Sequence, residues 1–118
     1  MEHSYKYKAK VVKVVDGDTI DAMIDLGFDI WIKRRIRLYG INTPETRTTD
    51  LDEKTRGVAA KDRLLNLIEE NDNQILIESH GLEKYGRCLA TIFCKEININ
   101  KLLLEEGHAI SFMQKELS

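Results

Sequence analysis

The sequence predicts an α+β fold, mainly β: a five-stranded Greek-key barrel with two or three helices. Three observations predict it. The first third of the chain alternates polar and apolar residues at period two and is cut twice by Asp/Gly turn signals. The middle changes to helical spacing, and two further strand-like runs follow before a short capped helix. At 118 residues the chain has the length of one domain and can bury a core without disulfide staples.

Taken in order, residues 6–15 are rich in Val and Tyr and read as a first strand, ended by the turn Asp16-Gly17-Asp18. Residues 19–26 form a second, with Ile20, Ala22, Ile24 and Leu26 on one face and Asp21, Met23 and Asp25 on the other. Gly27-Phe28-Asp29 turns the chain into a third strand over 30–39, where Ile36 and Leu38 face away from Arg35, Arg37 and Tyr39. From about Thr55 to Glu70, Ala60, Leu64, Leu67 and Ile68 recur at helical spacing, with Asp50 and Asp52 upstream as capping residues. Residues 74–79 and 87–93 read as strands four and five, joined by a loop over 81–86. Asn98 caps a helix over 99–106 that Gly107 ends. The Leu102-Leu103-Leu104 run is expected in the core, and a frayed tail after about Met113. This order of elements is that of the OB barrel. One domain spanning residues 1–118, with its core at about 6–112, is expected.

Composition narrows the class. Apolar residues make up 42% and charged residues 32%, ordinary for a soluble globular chain, and no apolar run approaches the roughly 20 residues of a membrane span. The opening residues 1–6 carry no apolar stretch, so an intracellular protein or a mature secreted chain is expected. Cys88 and Cys94 lack CxxC spacing and are expected reduced. The net charge of −2 is unusual for a nucleic-acid binder, which leans on local basic surface. The run from Trp31 to Arg37 holds four cations in seven residues and is the candidate for such a surface; taken alone it reads first as an exposed strand face with alternating charges. His3, His80 and His108 share no metal spacing and are expected at the surface or in the tail. The charged stretch 50–56 is expected as a solvated loop, within which Lys54 and Arg56 could reach nucleic acid.

Three separated segments carry chemistry. Asp16-Gly17-Asp18-Thr19 sets two carboxylates around a glycine; they repel unless a cation lies between them, although Asp-Gly is also a common turn dipeptide. Residues 37–46 end a strand with oxygen donors, where Asn42, the Thr43 carbonyl and Glu45 could join Asp18 around one ion. Pro44 restricts its own backbone and that of Thr43. The segment is also consistent with a plain strand-exit loop. Residues 83–87 bring Arg87 out of a turn at Gly86. Two arginines, a carboxylate and a hard cation together form a phosphodiesterase kit: the ion neutralises phosphate, a base activates water, and guanidinium forks stabilise the pentacoordinate charge.

The combination DGDT at 16–19, RLxGxxTPE at 37–45 and KYGR at 84–87, in that order and spacing, resembles the staphylococcal nuclease (thermonuclease) family, over about residues 10–112. The resemblance implies an OB barrel and a calcium-dependent nuclease of little sequence specificity, acting on DNA, RNA or both. It implies Asp18 as direct calcium ligand, Asp16 as acidic neighbour of the ion, and Thr43 as backbone ligand. Glu45 is implied as general base, possible also as a ligand through water; Arg37 and Arg87 are implied at the phosphate and transition state. Lys84 and Tyr85 fall where the family contacts the 5′-phosphate end. The chain departs from the family at Asn42, where the type sequence has Asp; an amide oxygen still ligates calcium but with one charge fewer, so weaker binding is expected. The stacking tyrosines after the family's Gly-x-Ala segment are missing, and Phe112 is the aromatic left near Gly107-His108-Ala109. A monomer with a nucleic-acid substrate and no membrane association is expected. The alternative is a non-catalytic domain of this fold that binds nucleic acid or protein. The joint presence of Asp18, Arg37, Glu45 and Arg87 favours the enzyme, while the acidic net charge and Asn42 pull the other way.

Overall fold

Strands β1 (Tyr5–Asp16), β2 (Thr19–Asp25) and β3 (Trp31–Leu38) form an antiparallel meander; the computed structural model describes residues 5–112. Period-two patterning sets its two faces. Ala9, Val11 and Val14 of β1, Ile20, Ala22 and Ile24 of β2, and Ile36 of β3 turn to one side and are buried. A bulge between Val11 and Lys13 restores the inward direction at Val14.

After β4 (Ile41–Asn42) the chain enters helix α1 (Leu51–Glu69). Asp50 caps it, its carboxylate accepting from the backbone N–H groups of Asp52 and Glu53. The helix buries Gly57, Ala60, Leu64, Leu67 and Ile68 on one stripe and packs on β1. Leu64 and Ile68 are fully buried, so truncating either to Ala costs about 2–5 kcal/mol. Strands β5 (Gln74–Leu82) and β6 (Cys88–Cys94) follow, then β7 (Ile97–Asn98), helix α2 (Ile99–Glu105) and β8 (Ile110–Ser111).

The strand order is β3-β2-β1-β5-β6, and β6 returns to pair in parallel with β3. That pairing closes five strands into a barrel, the OB arrangement, with Ile20, Ile36, Leu38, Ile77, Ile92 and Leu103 in its interior. Strands β4 and β8 pair across the barrel's end. Asn100 of α2 is buried. Its amide donates to the carbonyls of Tyr39 and Ala90, and its oxygen accepts from the Ile92 N–H at 3.1 Å.

Several expectations shift. The helix begins at Leu51, four residues earlier than its apolar periodicity indicates, because the Asp50 cap acts upstream of the first buried residue; residues 51–56 are its first turns, not a solvated loop. Strand β5 runs on to Leu82 through an irregularity between Ser79 and Gly81, shrinking the expected 81–86 loop to a tight turn. His80 is not a surface residue: it is half-buried, stacked on Tyr39 at 4.2 Å and hydrogen bonded to Thr91. Leu26 is exposed, because the β2–β3 hairpin flares beyond the barrel around left-handed Gly27, Phe28 and Asp29. Cys88 and Cys94 are free thiols, as expected. Two helices lie among the described residues; the expected tail and His3 lie outside them. No helix among the described residues is long and apolar enough to cross a membrane.

Candidate functional site

Barrel closure brings three distant segments to one mouth. In the β2–β3 ladder Thr19 pairs with Arg37, which sets Asp18 beside the arginine. In the β3–β6 ladder Arg37 pairs with Leu89, which brings Arg87 to the same end of the barrel. Asp16, Asp18, Arg37, Asn42, Glu45, Lys84, Tyr85, Arg87 and Phe112 all line a single open cleft of about 570 Å³. Thr43 is buried just behind it. The residues singled out from sequence are therefore gathered in one place, although they span 97 positions of chain from Asp16 to Phe112.

Asp18 and Arg37, each 7% exposed, form the rigid back of the cleft. The Asp18 carboxylate accepts from the Thr43 N–H at 3.0 Å and the Thr19 hydroxyl at 2.9 Å, and lies 3.4 Å from the Arg37 guanidinium. Arg37 also donates to the Leu38 carbonyl at 3.0 Å and the Asn42 side-chain oxygen at 3.1 Å. Burial pushes the Arg37 pKa down; Asp18 opposes this, Arg87 adds to it, and Glu45 and Glu83 oppose it more weakly. A guanidinium stays cationic through such a shift, so Arg37 is a fixed positive charge within electrostatic range of all four groups.

Arg87 is held by a residue that sequence reasoning gave no role. Glu83 accepts from the Arg87 side chain at 3.1 Å and from the backbone N–H groups of Arg87 and Tyr85. It thereby ties the Glu83–Arg87 turn into one geometry. Hydrogen bonding from Arg87 holds its pKa below the ordinary carboxylate value. The Arg87 Nε is buried with no protein partner among the described residues, a desolvated donor on the wall of the cleft. Glu45 stands exposed at the lip. Asp16 accepts a hydrogen bond from the Thr46 hydroxyl. Lys84 lies over the ring of Tyr85, 5.0 Å from its centroid, and Tyr85 is 74% exposed. Phe112 reaches the cleft because its N–H donates to the Gly40 carbonyl at 2.9 Å. Of the two cations singled out in the 50–56 stretch, Arg56 lines a shallow depression that shares Asn42 and Glu45 with the cleft, and Lys54 does not.

Helix α1 positions both acidic segments from behind. A methyl added at Gly57 would meet the Glu45 carbonyl oxygen at 2.5 Å and the Pro44 carbonyl oxygen at 2.8 Å. One added at Gly17 would meet Ala60 at 2.8 Å. The helix approaches the Asp16–Asp18 turn and the Pro44–Glu45 segment this closely because its facing residues are small. A signal was available: an isolated glycine inside a helical run costs about 1 kcal/mol relative to Ala and asks for a packing reason.

The donor chemistry fits a hard cation. Asp16, Asp18, Asn42 and Glu45 offer oxygen, and neither His nor Cys lines the cleft. The Thr43 hydroxyl is a further buried oxygen with no partner among the described residues. No three His, Cys, Asp or Glu side chains among the described residues converge into a ready-made metal cluster. A cation there would need the Asn42 amide, a backbone carbonyl and water besides carboxylates.

A family model described as "Staphylococcal nuclease homologue" matches residues 35–117. A Bacillus anthracis protein named only as uncharacterised is 32% identical over 104 residues, covering 87% of this chain and 46% of the relative. One of Methanocaldococcus jannaschii, also named as uncharacterised, is 35% identical over 126 residues, covering 87% of this chain and 58% of the relative. A thermonuclease of Staphylococcus intermedius is 32% identical over 99 residues, covering 84% and 56% respectively. The chain spans about half the length of the curated relatives it matches.

Proposed function

The chain belongs to the staphylococcal nuclease family, and on that premise we propose that it is a calcium-dependent nuclease that hydrolyses phosphodiester bonds in DNA, RNA or both with little sequence specificity. The observation that carries the reading is the cleft itself: two arginines, four carboxylates and an amide oxygen from three separate segments face one volume. A bound hard cation supplies Lewis-acid polarisation of a phosphoryl oxygen. Asp18, Asn42 and the Thr43 carbonyl are the residues that would hold it, with Asp16 next to them and Glu45 reaching it directly or through water.

The side chains then divide the remaining work. Glu45, exposed and unencumbered at the lip, takes a proton from the attacking water or orients it. Arg37, fixed by Asp18, Asn42 and the Leu38 carbonyl, and Arg87, whose Nε lacks a partner, bind the equatorial oxygens as negative charge builds. Lys84 and Tyr85 receive the 5′-phosphate end, and Phe112 offers a ring for a base. The same reading treats residues 1–118 as one such domain, active as a monomer.

Digestion of plasmid and single-stranded DNA and RNA with calcium, with magnesium and with chelator tests it. Calcium-supported cutting abolished by chelator is expected, and Glu45→Gln should lower the rate by about 10²–10⁴-fold. A Glu45→Gln protein cutting at the wild-type rate would remove Glu45 from its role. Nucleic-acid binding without cutting under every condition would make the chain a binding module instead.

A further inference from the structure

The outer face of the barrel sheet carries a charge distribution that the cleft chemistry does not use. On β1, the outward positions hold Lys6, Lys8, Lys10 and Lys13; on β3 they hold Lys33 and Arg35. Against these six cations the facing positions of β2 and β5 set three carboxylates, Asp21, Asp25 and Glu78. The local balance is +3, on a chain whose formal charge is −2. Lys8, Lys10, Lys13 and Lys33 are exposed and make no ion pair among the described residues. Concentrating positive charge on one face of an acidic protein is the electrostatic footprint of a polyanion track.

The face is continuous with the cleft. Alternate residues of one strand stand about 6.7 Å apart, so the outward row Arg37, Arg35, Lys33, Trp31 leads from the buried cleft arginine outward over roughly 20 Å. Phosphates along an extended single strand repeat at a similar interval. Arg35 feels the charge of Asp16, which lines the cleft, and its bidentate pair with Asp21 at 2.9 and 3.1 Å fixes the guanidinium in the row. Lys33 and Lys10 flank Met23 from the two neighbouring strands. The row ends at Trp31, the chain's one tryptophan, 49% exposed and able to stack a base.

We propose that the outer face of β1–β3 is an exosite for the sugar–phosphate backbone of a single nucleic-acid strand, leading it out of the cleft over Arg35 and Lys33 to Trp31. The proposal rests on the nuclease reading for the direction of the strand, but its binding does not depend on cleavage.

Trp31 fluorescence reports this face directly. The full chain, in chelator, is titrated with oligothymidylates of about 16 and about 4 nucleotides. The longer probe should quench Trp31 and bind at least about tenfold tighter than the shorter. The exposed pair Lys10→Gln/Lys33→Gln, with circular dichroism unchanged, should bring that ratio close to one. It should also flatten the salt dependence of binding by about 1.4 in log–log slope, two phosphates at ~0.7 each. Equal affinity for the two lengths, or a variant that keeps both ratio and slope, would overturn the exosite. So would anionic phosphatidylserine vesicles that displace the long probe and shift Trp31 emission to the blue, which would assign the face to a membrane. A chain that binds as described yet never cuts would defeat the nuclease reading alone.

Discussion

Replacing Gly57 by Ala tests whether α1 sets the position of Glu45. Two effects of opposite sign meet there. Ala is the better helix former by about 1 kcal/mol. The new methyl, however, would stand 2.5 Å from the Glu45 carbonyl oxygen and 2.8 Å from that of Pro44. Those atoms are backbone, so the segment must retreat by about 0.5–1 Å to reach a tolerable contact, and overpacking of this kind costs about 1–3 kcal/mol. The net loss of stability is about 0–2 kcal/mol, a thermal midpoint lower by about 0–10 °C. The effect on cleavage should be disproportionate: a displacement of about 1 Å in a reacting group costs up to ~10² in rate, so a fall of about 10–100-fold in kcat is expected with a small change in KM. Single-turnover cleavage with calcium, set beside thermal melts, reads both quantities. Val58→Ala, on the exposed side of the same helix, is the control. A Gly57→Ala protein that melts higher and cuts at the full rate would refute the idea that close helix approach places Glu45.

Three further outcomes follow from the same geometry. Asn100→Ala strips the Ile92 N–H and the Tyr39 carbonyl of a buried partner, while the Ala90 carbonyl keeps the Tyr39 N–H. It should cost about 2–4 kcal/mol, seen as a drop on the order of 10 °C in the melting midpoint. Asp21, Glu83 and Glu106 each titrate below their ordinary values because an arginine hydrogen bonds to them. The stability they contribute is fully present above the ordinary carboxylate range near pH ~4–4.5 and drains away as pH falls through the lowered folded values; Glu83→Gln should flatten that acid limb in melts taken from pH 6 to 3, and an unchanged limb would contradict the pairing. Glu83→Gln should also loosen the Arg87 turn, lowering cleavage while leaving the proposed calcium dependence in place, which a metal titration of the rate would check.

Much of the fold was legible because its determinants are local. Period-two alternation in β1 and β2, the Asp16-Gly17-Asp18 turn, the Asn98 cap and the helical recurrence of Ala60, Leu64, Leu67 and Ile68 follow from backbone geometry that neighbouring residues dictate. The shortfalls came where local patterning stops reporting. The first turns of α1 bury nothing until Gly57, so apolar periodicity places the start late. His80 has no sequence signature for its stack on Tyr39, because the two meet over β6, which the fold places between them.

The sequence by itself determined the order of the five barrel strands and two helices, most of the buried faces and the identity of the acidic, guanidinium and amide groups at the cleft. Tertiary structure alone decided that β6 returns beside β3, that Arg87 therefore stands near Arg37, that Glu83 clamps Arg87, and that α1 presses against Glu45 through a bare glycine. The division has a physical cause. Alternation and capping act over a few bonds and are written in adjacent residues. The meeting of Arg37 with Arg87 depends on how five twisted strands close, a property of the whole core rather than of either segment.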